Sequence, residues 1–370
     1  METYLIPCLL GLEKLVSDEV KRLGLQEVQA ENGRILCRGT LADAARLNLN
    51  LRCGARVLLV LGRFPARSFE ELFQGTRAIA WEDYLPENAA FPVKGYSISS
   101  QLHSVPACQS IIKKAMVERM KAHYHREQFP EDGVKYQVRF SLFKDEAALC
   151  LDTSGEGLYK RGYRAVGVEA PLRETLAAAM VLLSRYRGKD PLCDPFCGSG
   201  TIPIEAALIA KTVRRDWTAA STPRGGRSFR PRCGWMRRTR PWTRNSTATT
   251  TSGAATSTPC RGHCQGQCPQ GGGGGYDPLR GGGHERLPPG QHLRPVGDQP
   301  PYGERLMEKR EAEDLYRELG QVWRRLPEGW RTLVLSSHTE FERSFGRPAV
   351  KKRKLYNGMI KCDLFMYGNV

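Results

Sequence analysis

The sequence runs to 370 residues, 40% apolar and 26% charged, which suits a globular chain of two or three domains with a sizeable core. Fifty-six Lys and Arg against 39 acids give +17, a balance that points to a polyanion such as nucleic acid. No apolar run reaches the roughly 18 residues of a membrane helix. METYLIPCLLGLEKLVSDEV lacks the basic start of a secretory signal, and twelve scattered Cys read as reduced thiols, so a cytoplasmic chain without membrane attachment is expected.

The first segment reads strand, helix, strand. Tyr4 to Cys8 is a short apolar run, Leu12, Leu15, Val16 and Val20 recur at helical spacing, and Ile35 to Arg38 follows. Arg46 to Leu61 holds further apolar runs, and a helical stretch leads to Trp81. From Phe91 to Leu151 the pattern is that of a small α/β domain. Tyr96 to Ser99 reads as a strand, and Pro106 to His125 as a helix with Ile111, Ile112, Ala115, Met116 and Met120 inward. Its other face carries Lys113, Lys114, Arg119 and Lys121. Tyr136, Val138, Phe140 and Leu142 alternate as a half-buried strand, and Ala147 to Leu151 returns.

Residues 158–165 are basic and aromatic. An Ala- and Leu-rich helix is expected from Leu172 to Tyr186, a brief strand from Pro191 to Asp194, and a helix from Ile202 to Lys211. The texture then breaks. Residues 217–297 contain sixteen Gly, twelve Arg, no Lys and only four Leu, Ile or Val, and they carry +10 of the net charge. Such a stretch buries too little apolar surface to offset the entropy of ordering it, so disorder is expected there. Beyond Pro300, Leu315, Leu319, Val322 and Leu326 form a helical stripe. Thr332 to Leu335 reads as a strand, Phe341 to Phe345 as a short helix, and 354–367 as a hairpin about Asn357-Gly358.

The sharpest chemical signal is Asp194-Pro195-Phe196-Cys197-Gly198-Ser199-Gly200-Thr201: an acid at a strand end, a tight glycine turn, then a helix start. Glycines there let backbone approach a nucleotide-like ligand at the carboxyl edge of a parallel sheet. It is neither GxGxxG nor a Walker loop, since no Lys follows. The second signal is Gln299-Pro300-Pro301-Tyr302, which resembles the Asn/Asp-Pro-Pro-Tyr motif of methyltransferases acting on exocyclic base nitrogens. There an amide or carboxylate oxygen and a proline carbonyl accept the amine hydrogens, and the ring stacks on a flipped base. Taken alone, the turn also reads as a plain loop. Cys260, Cys264, Cys268 and His263 lack the usual spacing of a zinc site, and no metal is expected.

Together with Lys160-Arg161-Gly162-Tyr163-Arg164, Ala170 to Ala177 and Leu355-Tyr356-Asn357-Gly358, these motifs resemble the THUMP-containing class I methyltransferases, specifically the bacterial large-subunit rRNA guanine-N2 family. The resemblance covers about 1–213 and 300–370. It implies an α/β fold: an N-terminal ferredoxin-like segment (1–50), a THUMP-like RNA-binding domain (51–157) and a Rossmann-like class I methyltransferase domain (165–370) with a C-terminal β-hairpin. It implies S-adenosyl-L-methionine held by Asp194, Pro195, Phe196, Cys197, Gly198, Gly200 and Thr201, with Glu174 and Thr175 nearby, and Gln299 to Tyr302 as the catalytic motif. It further implies large-subunit ribosomal RNA as partner, touched by Lys113, Lys114, Arg119, Lys121, Arg161 and Arg164. The alternatives are an adenine-N6 DNA methyltransferase and a non-catalytic RNA-binding remnant.

The sequence departs from that family between 217 and 298. The acid expected to hold the cofactor ribose is absent, and Gly, His, Arg and Pro replace the strand before Pro-Pro-Tyr, although the spacing from Gly200 to Pro300 is normal for the family. Right length with wrong composition suggests a shifted reading frame. Codons for Leu293 to Pro300 read one base later permit Phe-Asp-Leu-Leu-Val-Thr-Asn-Pro, and the other shifted frame near Gly253 to Pro259 permits Gly-Cys-Asp-Ile-Asp-Pro. Several small insertions or deletions are therefore expected, with impaired catalysis in the chain as written.

Overall fold

The computed structural model describes residues 1–163, 172–188, 190–211, 296–298 and 309–368. The chain divides into two compact units. Among the described residues, 1–8 and 13–158 make the first; 9–12 and those from 159 onward make the second.

The first unit is built on one seven-stranded sheet in the order β2-β3-β1-β4-β7-β6-β5. Its strands are β1 (Glu2–Pro7), β2 (Gln26–Glu31), β3 (Arg34–Gly39), β4 (Leu58–Pro65), β5 (Val93–Ile98), β6 (Val138–Phe143) and β7 (Glu146–Asp152). Helices α1 (Glu13–Arg22) and α2 (Leu41–Asn50) belong to its N-terminal half, α3 (Phe69–Arg77) and α4 (Val105–Tyr124) to the other. The two halves are not separate sheets. β4 pairs antiparallel with β1 through Leu58 and Leu59 and with β7 along its whole length, so one strand joins the N-terminal segment to the domain after it. α4 begins with Pro106 in its first turn, where no amide hydrogen bond is lost. It buries Ile112, Ala115, Met116 and Met120 as its spacing foretells, and Cys108 besides, whereas Ile111, also expected inward, is only half-buried. β2 was not expected: QEVQAE is polar, and the strand is mostly exposed at the sheet edge.

The second unit contains α5 (Glu174–Leu183), α6 (Thr201–Ala210), β8 (Val296–Asp298), α7 (Lys309–Arg324), β9 (Thr332–Ser336), α8 (Phe341–Phe345), β10 (Lys351–Asn357) and β11 (Ile360–Tyr367). Its four described strands run β10-β11-β9-β8, with β8 parallel to β9 and β11 antiparallel between β9 and β10. The C-terminal hairpin thus extends the described sheet beyond β9, with β11 between β9 and β10, and it turns through Gly358 and Met359. Gly358 takes φ +67°, as a two-residue hairpin turn requires.

Three expectations are corrected here. The strand expected at Pro191 to Asp194 reduces to a single bridge residue, Cys193. The inward stripe of α7 is Ala312, Tyr316 and Leu319, with Trp323 partly buried beside them, while Val322 is 54% exposed. The helix turns its aromatic residues inward because Phe341, Phe345 and Tyr367 stack there, with ring centroids 4.4–6.1 Å apart. Gly320 permits that approach: a Cβ there would lie 2.1 Å from the Phe345 carbonyl oxygen. Finally, the last three residues of the stretch expected to be disordered pair with Thr332, Leu333 and Val334 as β8. The rest of 217–298, including Cys260, His263, Cys264 and Cys268, lies outside the described residues.

Candidate active site

The 194–201 turn is set in place from both ends. On one side Phe196 packs against the aromatic cluster of α7, α8 and β11. On the other, α6 begins at Thr201 and is held by buried Ile202, Ile204 and Ala206. Gly198 and Gly200 have φ of +50° and +73°, in the left-handed region that costs a side-chain-bearing residue roughly 1–2 kcal/mol. The Gly200 amide donates to the Cys197 carbonyl at 2.6 Å, closing the turn. Ser199 and Thr201, both buried, share a hydroxyl hydrogen bond at 3.0 Å.

Asp194 is the group this turn exists around. Its residue is 4% exposed, the Phe196 amide donates to its carboxylate, and Oδ1 has no hydrogen-bond partner among the described residues. Burial pushes its pKa up to about 7, against the smaller opposing pull of the Phe196 amide. A buried acceptor left open in this way is an exception that needs an explanation, and a bound ligand or water is one. Glu174 and Thr175, in the first turn of α5, are buried in the same unit. Thus all nine residues expected to hold a cofactor lie in the second unit, seven on the 194–201 turn and two at the buried start of α5.

Gln299, Pro300, Pro301 and Tyr302 lie outside the described residues, as does Arg164. Arg161 is corrected by the structure. Its side chain is only 2% exposed, and Nε donates to Glu205 Oε1 at 2.6 Å, so it braces α6 instead of facing RNA. Tyr163 donates to the same oxygen at 3.0 Å, and burial with the nearby Glu205 and Glu174 charges drives its phenol far above the usual range. Glu205 was not singled out by the sequence, because its partner lies 44 residues earlier. Removing one member of a buried pair strands the other charge. Glu205→Gln is therefore expected to lower stability by about 3–5 kcal/mol in urea titration, whereas the apolar double replacement Arg161→Met with Glu205→Leu restores most of it.

The expected RNA-facing residues of α4 are mostly neutralised within the first unit. Lys113 pairs with Glu131 at 2.6 Å and lies 3.6 Å from the centroid of the Phe91 ring. Arg119 makes a multiple contact with Glu82, and Lys121 lies 3.2 Å from Glu127. Lys114 is exposed and sits 5.9 Å from the Phe73 ring centroid, with no acidic partner among the described residues.

Three stretches of the chain match known domain families in order: the RlmL ferredoxin-like domain over 3–58, the THUMP domain over 66–152, and the RMKL-like methyltransferase domain over 161–252 and 284–365. β4 falls mostly between the first two matches, as a strand shared by both would. A Bacillus subtilis protein called "Putative RNA methyltransferase YpsC" is 37% identical over 97% of this chain and 94% of its own length. The "Ribosomal RNA large subunit methyltransferase K/L" of Psychromonas ingrahamii is 30% identical over 99% of this chain, which spans only 50% of that longer protein. Among solved structures, SMU.472, titled "a putative methyltransferase complexed with SAH", superposes with a TM-score of 0.78 at 34% identity over 100% of this chain and 98% of its own.

Proposed function

Because this chain belongs to the RMKL-like methyltransferase family, with ferredoxin-like and THUMP domains ahead of the methyltransferase domain, we propose that its reaction is transfer of a methyl group from S-adenosyl-L-methionine to the exocyclic N2 of a guanine in large-subunit rRNA, in the bacterial cytoplasm. The observation that carries the cofactor half is the open Oδ1 of buried Asp194 beside a glycine turn. It fits a group that brings positive charge and hydrogen-bond donors into a dry site. When bound, S-adenosyl-L-methionine supplies a methyl group on a sulfonium, ready for direct displacement.

The chain's own residues have three tasks. Asp194 accepts from the methionyl end, with Gly198 and Gly200 keeping the backbone bare enough for close approach. Glu174 and Thr175 line the same region from α5. Gln299 and the carbonyl of Pro300 accept the two hydrogens of the target amine, which turns its lone pair toward the methyl carbon, while Tyr302 stacks on the base. No nucleophile on the protein is needed, and Cys197 serves only the turn.

The test is methyl transfer from labelled S-adenosyl-L-methionine to ribosomal RNA and to duplex DNA, using a chain with the family's reading frame restored across 217–298. Label in N2-methylguanosine of the large-subunit RNA is expected. Label in N6-methyladenine of DNA would sink the RNA reading in favour of a DNA methyltransferase. If the chain as written retains RNA but gives no heat with the cofactor in calorimetry, it is a binding remnant.

A further inference from the structure

The sheet of the first unit carries side chains at its β5 edge that its core does not use. Along β5, Lys94, Tyr96 and Ile98 alternate outward, and Tyr96 is 47% and Ile98 52% exposed. The intervening residues turn the other way: Gln109 of α4 donates to the Val93 carbonyl, and the Ser97 hydroxyl is buried. In the parallel register of β5 and β6, Ile98 lies opposite Phe143, Tyr96 opposite Ser141 and Lys94 opposite Arg139. Phe143, 41% exposed, therefore shares the face of Tyr96 and Ile98. Strand spacing and rise put the Tyr96 and Phe143 Cα atoms roughly 8 Å apart. Three large apolar side chains kept in water on one sheet edge are not accounted for by packing.

The charges around them have one predominant sign. Lys94 is exposed, and Lys144, directly after Phe143, holds Nζ 5.4 Å from that ring's centroid; neither has an acidic partner among the described residues. Arg56 and Arg139 share the single buried carboxylate of Asp152, at 2.6 and 2.7 Å, so one positive charge is left over. Of the nearby acids, Glu146 pairs with Arg63, and Asp145, which accepts from the Gln101 amide, keeps its charge, so the balance around the patch stays positive. This contrasts with α4, whose Lys113, Arg119 and Lys121 are each matched by a carboxylate.

We infer that the β5–β6 edge is a stacking platform for an unpaired segment of the RNA substrate, an assignment that rests on the RNA reading above. Two bases lie on Tyr96 and Phe143, Ile98 fills the space between, and Lys94 and Lys144 meet phosphates at either end. Aromatic rings with flanking cations suit any base, since every base offers a flat face. The segment is unpaired because a duplex hides those faces, and the deep groove of an A-form helix does not admit a sheet edge.

The test is fluorescence anisotropy of the full chain with a short labelled oligoadenylate and with a labelled RNA hairpin of no free tail. Tyr96→Ala and Phe143→Ala should each weaken oligoadenylate binding roughly tenfold or more and leave the hairpin unchanged. Tyr96→Phe should bind like the parent, because the ring and not the hydroxyl does the stacking. Lys94→Gln with Lys144→Gln should flatten the dependence of log affinity on log salt by about 1.4. Should an alanine variant fail to fold, the lysine pair still decides through its salt dependence. The platform is overturned if the aromatic variants bind oligoadenylate like the parent, if hairpin binding falls equally, or if the parent binds neither RNA and the patch instead captures protein. Methylation of rRNA that survives such a result leaves the function standing, and methylation of DNA alone removes the function while oligoadenylate binding still tests the platform.

Discussion

Replacing Asp194 with Asn should stabilise the folded chain at pH 8 by up to about 4 kcal/mol, with little gain at pH 4, while abolishing cofactor binding. The carboxyl is held at about 7 in the folded state against an ordinary value of 3.8, and that interval is worth roughly 4 kcal/mol at full ionisation. A raised carboxyl pKa means that the folded state keeps a proton the unfolded chain has already lost. The penalty is absent below about pH 4, grows as pH rises toward 7, and is complete above it. Asn keeps the shape and the acceptor for the Phe196 amide but cannot ionise, so its stability does not decline over this window. Urea denaturation at pH 4, 6 and 8 would show the two proteins diverging as pH rises. Parallel curves would mean that Asp194 is not held neutral. The same carboxylate is the open acceptor of the site, so calorimetry with S-adenosylhomocysteine should show binding in the frame-restored parent and none in its Asp194→Asn variant. A gain in stability paired with a loss of binding is the mark of a group kept buried for a ligand.

That pairing also marks the limit of what the sequence reveals. The Asp-Pro-Phe-Cys-Gly-Ser-Gly-Thr string shows where a ligand sits, because glycine placement and helix onset are local. The setting of that turn is not local: Phe196 docks on residues from α7, α8 and β11, more than a hundred positions away. The stripe of α4 was legible because one helix periodicity sets it. The stripe of α7 was displaced because Tyr316 and Trp323 find aromatic partners that no helical spacing encodes. Arg161 misled for the same reason. A basic, aromatic run reads as an RNA contact until Glu205, on another helix, claims the guanidinium. Conversely, Tyr96 and Phe143 are ordinary strand residues in sequence. Only the β5–β6 register brings them to one exposed face.

A chain whose reading frame is restored across 217–298 should methylate its RNA at least a hundredfold faster than the chain as written. Three sequence facts lead there. Residues 217–297 combine twelve Arg and sixteen Gly with four Leu, Ile or Val, a composition unlike the flanking chain. The methyltransferase-domain match runs over 161–252 and 284–365, leaving 253–283 unmatched within an otherwise continuous family domain. Gln299 stands where the motif calls for Asn or Asp, placing its acceptor oxygen one methylene farther along. A displacement near 1 Å at a reacting amine costs about 100-fold on its own. Loss of the acid that holds the ribose adds to that through weaker cofactor binding. Sequencing the gene across codons 215–300 comes first, followed by tritium transfer with three proteins: as written, Gln299→Asn alone, and frame-restored. The single replacement should recover about 100-fold at most and still fall short of the restored chain, because it repairs the amine contact without the ribose contact. Recovery of full activity by Gln299→Asn alone would put the whole defect in one methylene. Equal activity of the written and restored chains would show that neither difference touches the reaction, and the frame shift would lose its functional consequence.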